Sequence, residues 1–487
     1  MVGTALLAGG MFNVDAVAQA HDEPALYRIR VSENLATLDV SARFTEPATA
    51  LRARDRDAGR FLRNPVDCSQ SSAGDDRVTS LRARRRTLRL PDEGLTCLRY
   101  QVDLAAAAAG ERRNNYLAAD NVSVSPSLWL WRPSLRGAES LRVDFDLPDG
   151  IKVAVPWQPI AGSSSSYRLT ASPESAHAPA LFGRFSDREV EVGGATLRVA
   201  MAQGREPYRE DEIINWVTAT ATDVSLTYGR FPNPSPLVLL VPVSSERRWG
   251  RSPVPFGRVI RDGGEAVELF VDPAGDHAEF MADWTATHEF SHLMVPYLAS
   301  SARWISEGFA QYYQNVLMAR SGAYEERIAW QKIMAGLRRG AASGPGLSPN
   351  EASSGNRRGA RMKVYWSGAA LALLGDLELR RTSNGTQSLD SVLDDLQRCC
   401  LPSADVWSGP RFFAKLDELA GRSVFMPLYR QHADRAGFPD VSAALSDLGV
   451  QANGQLNDRA ELALLRRQIM RRSDAIADWR REMGESP

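Results

Sequence analysis

THEFSHLMVPYLASSARWISEGFAQYY, Thr287 to Tyr313, places His288, Glu289 and His292 in the order H-E-x-x-H and follows them with Glu307. On a helix, residues four apart fall on one face, so the two imidazoles can close on a single ion while Glu289 sits one residue round, beside it. A second helical segment opens at Trp304-Ile305-Ser306 and runs to about Arg320, with Phe309, Tyr312, Tyr313, Val316 and Leu317 forming a buried side. Fourteen residues lie between His292 and Glu307. That is enough to end one helix, turn through Leu298 to Arg303, and return a third ligand.

Two imidazoles and a carboxylate form a catalytic zinc set, because three protein ligands leave a fourth position for water. A zinc ion bound there brings that water's pKa to about 7, and Glu289 is suited to accept its proton and pass it to a leaving amine. A closed structural site wants a fourth Cys or His, and the stretch contains none. One Zn2+ ion is therefore the expected cofactor, and an extended peptide or protein the expected substrate.

The remaining composition sets bounds. A chain of 487 residues is long enough for two or three cores, and a formal net charge of -1 gives no general attraction to nucleic acid or an anionic membrane. No apolar run reaches bilayer length. Residues 1–20 are small and apolar and end Ala18-Gln19-Ala20, like a signal-peptide cleavage site, although no Lys or Arg precedes them and Asp15 interrupts them. Export to a periplasmic or secreted location is the expectation. Of the four cysteines, Cys68 and Cys97 fall in one β-rich region where a bridge is plausible, and Cys399 and Cys400 are adjacent; no zinc-knuckle spacing occurs.

From Ala25 to about Met201 the hydrophobic period is two. Leu38, Val40, Ala42 and Phe44 alternate with polar residues, as do Leu98, Tyr100, Val102 and Leu104, and then Leu141, Val143, Phe145 and Leu147. Such short runs predict a β-sandwich or saddle-like sheet. The alanine run at 105–109 reads as a loop, and the arginine-rich Leu81 to Leu90 as a solvated strand or loop. Near Arg205 the period changes: Glu212 to Tyr228 reads as a helix, Leu237 to Val243 as a buried strand, and Ala266 to Val271 as a strand that could border an extended substrate. Beyond Tyr313 helices dominate, interrupted by the Gly- and Ser-rich stretch at 340–360, which reads as a long loop.

H-E-F-S-H, W-I-S-E-G-F-A-Q-Y-Y and V-Y-W-S-G-A-A-L-A-L-L-G-D-L-E-L-R (Val364 to Arg380) together resemble the gluzincin metallopeptidases, most closely the glycyl aminopeptidase family and more distantly aminopeptidase N. The resemblance implies His288, His292 and Glu307 as zinc ligands and Glu289 as general base. It also makes Tyr365 the donor to the tetrahedral oxyanion. The implied fold is α+β and multidomain: an N-terminal β-sandwich-like domain over 21–203, a thermolysin-like α/β lobe over 204–300, and a helical C-terminal lobe over 301–487 that completes the zinc site.

Two positions depart from the resembled pattern. Four residues after Glu307, where relatives often carry an acid that orients a zinc histidine, stands Gln311, whose carbonyl can still accept that hydrogen bond. Where aminopeptidase N carries a glutamate for the substrate's amine, this chain reads Phe256-Gly257-Arg258-Val259-Ile260-Arg261. Aminopeptidase and endopeptidase action both stay open. So do a zinc-retaining, inactive binding protein and a zinc hydrolase of a non-peptide substrate such as an epoxide.

Overall fold

The structure is a computed structural model that describes residues 25–71, 77–110, 116–118, 120–173, 178–243, 252–355, 359–452 and 454–471. The candidate signal segment 1–20 lies outside these residues. Eight strands form the N-terminal sheet, in the order Gln158–Pro159, Ser166–Thr170, Ser140–Asp146, Ala25–Val31, Thr37–Ala48, Leu95–Asp103, Leu62–Asp67 and Thr79–Ser80. Their alternation sends Tyr27, Ile29, Val40, Leu98, Tyr100 and Val143 to one face, where they share a core with Trp129, Trp131, Trp157 and, from a second sheet of four strands, Val122 and Phe182. Each such side chain contributes about 1.5–3 kcal/mol by leaving water. The buried hydroxyls of Tyr27 and Tyr100 donate to the carbonyls of Trp131 and Trp129, at 2.9 and 3.0 Å.

The alanine run is a helix, Leu104–Gly110, and not a loop. Alanine has the highest helix propensity, and the Asp103 carboxylate accepts from the Ala106 amide at 3.0 Å at its start. The arginine-rich stretch is a hairpin of Arg82–Arg84 and Thr87–Arg89 that exposes its arginines and buries Leu88.

A third, mixed sheet of five strands runs Ser186–Val192, Ala195–Met201, Leu237–Pro242, Glu265–Val271 and Phe256–Arg261. Its first two strands lie inside the span read as N-terminal domain, yet Arg198 to Met201 pair in parallel with Leu237 to Leu240. Period-two alternation identifies a strand but not its partner. Ala266 to Val271 is likewise interior, flanked by Leu237–Pro242 and Phe256–Arg261. The edge on this side of the sheet, open to an extended substrate, is Phe256–Arg261.

The helices that follow pack on this sheet. One core extends from Val190 through Val267, Ile305 and Leu396 to Met470, so residues 204–300 and 301–487 do not have separate interiors. Helices Arg303–Arg320 and Arg361–Thr382 approach so closely that a Cβ on Gly308 would lie 2.2 Å from the Gly368 Cα. Behind them, Asp376 and Asp390 accept from Tyr312 and Tyr313 (2.7 and 2.9 Å) and pair with Arg380 and Arg320 (2.9 and 2.8 Å), tying both helices to Leu389–Cys400.

Within the expected loop at 340–360, one helix runs on to Ala342 and another spans Pro349–Ser354. Ser348 and Glu351 form a capping box around Pro349, a start signal hidden among the glycines and serines. Cys68 bonds to Cys97 and Cys399 to Cys400. Among the described residues, no helix is long and apolar enough to cross a membrane.

Candidate metal centre

The H-E-x-x-H segment is a short helix, Thr285–Ser291, continued by a 3-10 turn at His292–Met294, and all seven helical residues are buried. Both ends are held. The Asp283 carboxylate accepts from the Thr285 amide at 2.7 Å, and the Arg261 guanidinium donates to the carbonyls of His292 and Val295, each at 3.0 Å. Arg261 is itself paired with Glu265 on the neighbouring strand, at 2.5 Å.

This brings the three expected ligands together. Nε2 of His288 and Nε2 of His292 lie 3.5 and 3.7 Å from Oε2 of Glu307, and the ligand atoms of the three residues all fall within 4.8 Å of one another. Zinc bonds of about 2.1 Å in a tetrahedron give edges of roughly 3.4 Å, and the two histidine–glutamate spacings lie close to that edge. Burial works to lower the His288 pKa, but the Glu307 hydrogen bond and the charges of Glu289 and Glu307 outweigh it and leave the imidazole above its ordinary value. Burial works to raise Glu307, and His288, His292 and Arg303 outweigh that in turn. His292 is pushed down to about 3 by burial, with Glu307 opposing and His288 and Arg261 adding to the fall.

Glu289 lies beside this trio. Burial lifts its carboxyl to about 7, His288 pulls it down, and Glu307 pushes it up. The edge strand Phe256–Arg261 passes directly over it: a Cβ on Gly257 would come within 2.5 Å of the Glu289 Cγ. Tyr365 stands across the site, its ring 6.1 Å from that of His288. Burial and the Glu307 charge raise its phenol, and Arg361 opposes them.

Gln311 does not reach an imidazole. Its amide donates to Oε1 of Gln314 at 3.0 Å, and it is Gln314 Oε1 that meets Nδ1 of His288, at 3.2 Å. Nδ1 of His292 meets the Ser306 hydroxyl at 2.9 Å. The sequence reading missed Gln314, Ser306, Gly257 and the capping role of Arg261. Helical spacing did point to Gln314, since Glu307, Gln311 and Gln314 stand at i, i+4 and i+7 on one face.

Residues 297–367, which carry Glu307 and Tyr365, match the family model of the M61 glycyl aminopeptidases. The fold is similar to that of an aminopeptidase N family protein from Idiomarina loihiensis, at 14% identity over 87% of this chain and 78% of that one, with a TM-score of 0.62. It is also similar to an M1 zinc metallopeptidase from Deinococcus radiodurans, at 14% identity over 86% and 94% of the two chains, with a TM-score of 0.52. The matched segment and the fold together support a zinc metallopeptidase.

No curated protein matches the sequence significantly. At 14% identity the structural likeness speaks for the metallopeptidase's fold, and the chemistry rests on its own side chains. The arginines of its edge strand are engaged: Arg258 pairs with Glu268 and Arg261 with Glu265, both across the hairpin. Phe256–Arg261 therefore offers no carboxylate to a substrate amine.

Proposed function

We propose that this metallopeptidase hydrolyses peptide bonds, with His288, His292 and Glu307 holding one zinc ion, Glu289 acting as general base and Tyr365 donating to the oxyanion. When bound, zinc supplies Lewis acidity toward the scissile carbonyl and makes water acidic enough to react near neutral pH. Glu289 takes the proton from the attacking water and delivers it to the leaving amine. Burial raises the proton affinity of this carboxylate, which favours its taking the proton from water. The Tyr365 phenol stays neutral and can give a hydrogen bond where negative charge develops. The observation that carries this reading is the approach of three ligand atoms within 4.8 Å, with Glu289 one residue along the same helix.

The substrate's place follows from the sheet. Phe256–Arg261 pairs on one side with Glu265–Val271, and among the described residues no strand pairs with its other side. An extended peptide can add there by main-chain hydrogen bonds, with the bare Gly257 backbone bringing it over Glu289. Because this strand holds no free carboxylate, cleavage is proposed not to require a free N-terminus. We also propose export, supported by the two disulfides.

The test is mass-spectrometric mapping of products from paired peptides with free and acetylated N-termini, using protein of measured zinc content. Comparable cutting of both is expected. Cutting confined to the free peptides overturns the proposed independence of the amine, and zinc binding with no peptide cleavage overturns the peptidase reading.

A further inference from the structure

With Nε2 of each histidine turned toward Glu307, the outward nitrogen of each imidazole is Nδ1, and among the described residues neither Nδ1 meets a carboxylate. His288 faces an amide carbonyl and His292 a hydroxyl. Both partners, Gln314 and Ser306, lie on the helix that supplies Glu307, so one rigid element sets the third ligand and the orientation of the other two. Gln314 is only 5% exposed, and its carbonyl accepts from Gln311 as well as facing His288. That second bond fixes which end of the Gln314 amide the imidazole meets.

An imidazole bound to a cation through Nε2 carries its proton on Nδ1 and donates it outward. A carboxylate acceptor draws that proton away and makes the ring a stronger ligand, and a neutral oxygen does so less. We propose that Gln314, oriented by Gln311, and Ser306 are positioning residues that set zinc retention, and that this uncharged pair holds the ion weakly enough to exchange with free zinc in its surroundings. The proposal rests on the zinc reading of His288, His292 and Glu307.

The experiment measures the zinc dissociation constant of the full chain by competition with a chromophoric chelator, for the parent, Gln314→Glu, Gln314→Leu and Ser306→Ala. Melting of each metal-free protein is recorded alongside. Gln314→Glu is expected to tighten zinc binding and slow zinc loss to EDTA, and Gln314→Leu and Ser306→Ala to weaken binding, by about 10- to 100-fold in each case. Metal-free melting separates any change in folding from the change in zinc affinity, and the visible absorption bands of the cobalt-substituted protein should shift between parent and Gln314→Glu. Zinc affinity of Gln314→Glu within about twofold of the parent, against the changes of tenfold or more that such partners produce, overturns the proposal. Should Gln314→Glu fail to fold, Gln311→Leu decides: a weakened zinc site supports the proposal and an unchanged one overturns it. A parent that binds no zinc defeats the zinc reading itself, whereas a zinc-loaded parent with an indifferent Gln314→Glu defeats only this inference.

Discussion

Replacing Glu289 by Gln tests the base and its environment in one molecule. Burial raises this carboxyl from 4.5 to about 7. An acid with a raised folded pKa keeps its proton longer in the folded state than in the unfolded one, so metal-free protein loses stability as pH climbs from about 4.5 to 7. At about 1.4 kcal/mol per pH unit the full loss is about 3 kcal/mol, complete by pH 8. Gln has no proton to release and a similar shape. Metal-free Glu289→Gln should therefore be more stable than the parent by about 3 kcal/mol at pH 8 and close to it near pH 4.5. Urea denaturation of both metal-free proteins at the two pH values measures this directly. With zinc bound, the variant should keep its metal and lose about 10²- to 10⁴-fold in turnover. The reasoning fails if parent and variant show the same pH dependence of stability, or if the variant cleaves peptides as fast as the parent.

Tyr365→Phe should lower kcat by about 10²- to 10³-fold while zinc content stays at the parental level, as steady-state kinetics and metal analysis will report. Gly308→Ala drives a Cβ into the Gly368 backbone and separates the helices that carry Glu307 and Tyr365; activity and zinc affinity should fall together, with a lowered melting temperature. Asp390→Asn breaks a buried network and should cost about 3–5 kcal/mol, read by denaturant titration. Burial alone would raise the Asp390 carboxyl, but Arg320 and Arg380 hold it below its ordinary 3.8, so its contribution is present at neutral pH and disappears as pH falls through that depressed value. Cys68→Ser opens a bridge between residues 29 apart and should lower stability by about 3–4 kcal/mol under oxidising conditions, with no change under reduction.

Local chemistry was legible wherever a function confines its residues to one or two turns. His288, Glu289 and His292 are tied by helical spacing, and Glu307 follows after a connection too short to lead elsewhere. The alternation of Leu38 to Phe44 and of Leu98 to Val102 likewise specified strands, because each residue's neighbours two positions away share its face. The alanine helix and the capped helix at Pro349 were misread because composition took precedence over propensity and capping.

What the sequence alone determined is the kind of site and the type of most elements around it: a helix carrying two imidazoles and a base, a second helix carrying a carboxylate, and strands before them. Only the tertiary structure decided which strand is the edge, why Gly257 must be bare, that Arg261 caps the histidine helix, and that Gln314 faces His288 where Gln311 does not. Periodicity records a residue's relation to its own element, whereas partners across a sheet or between helices are chosen by packing among segments distant in the chain.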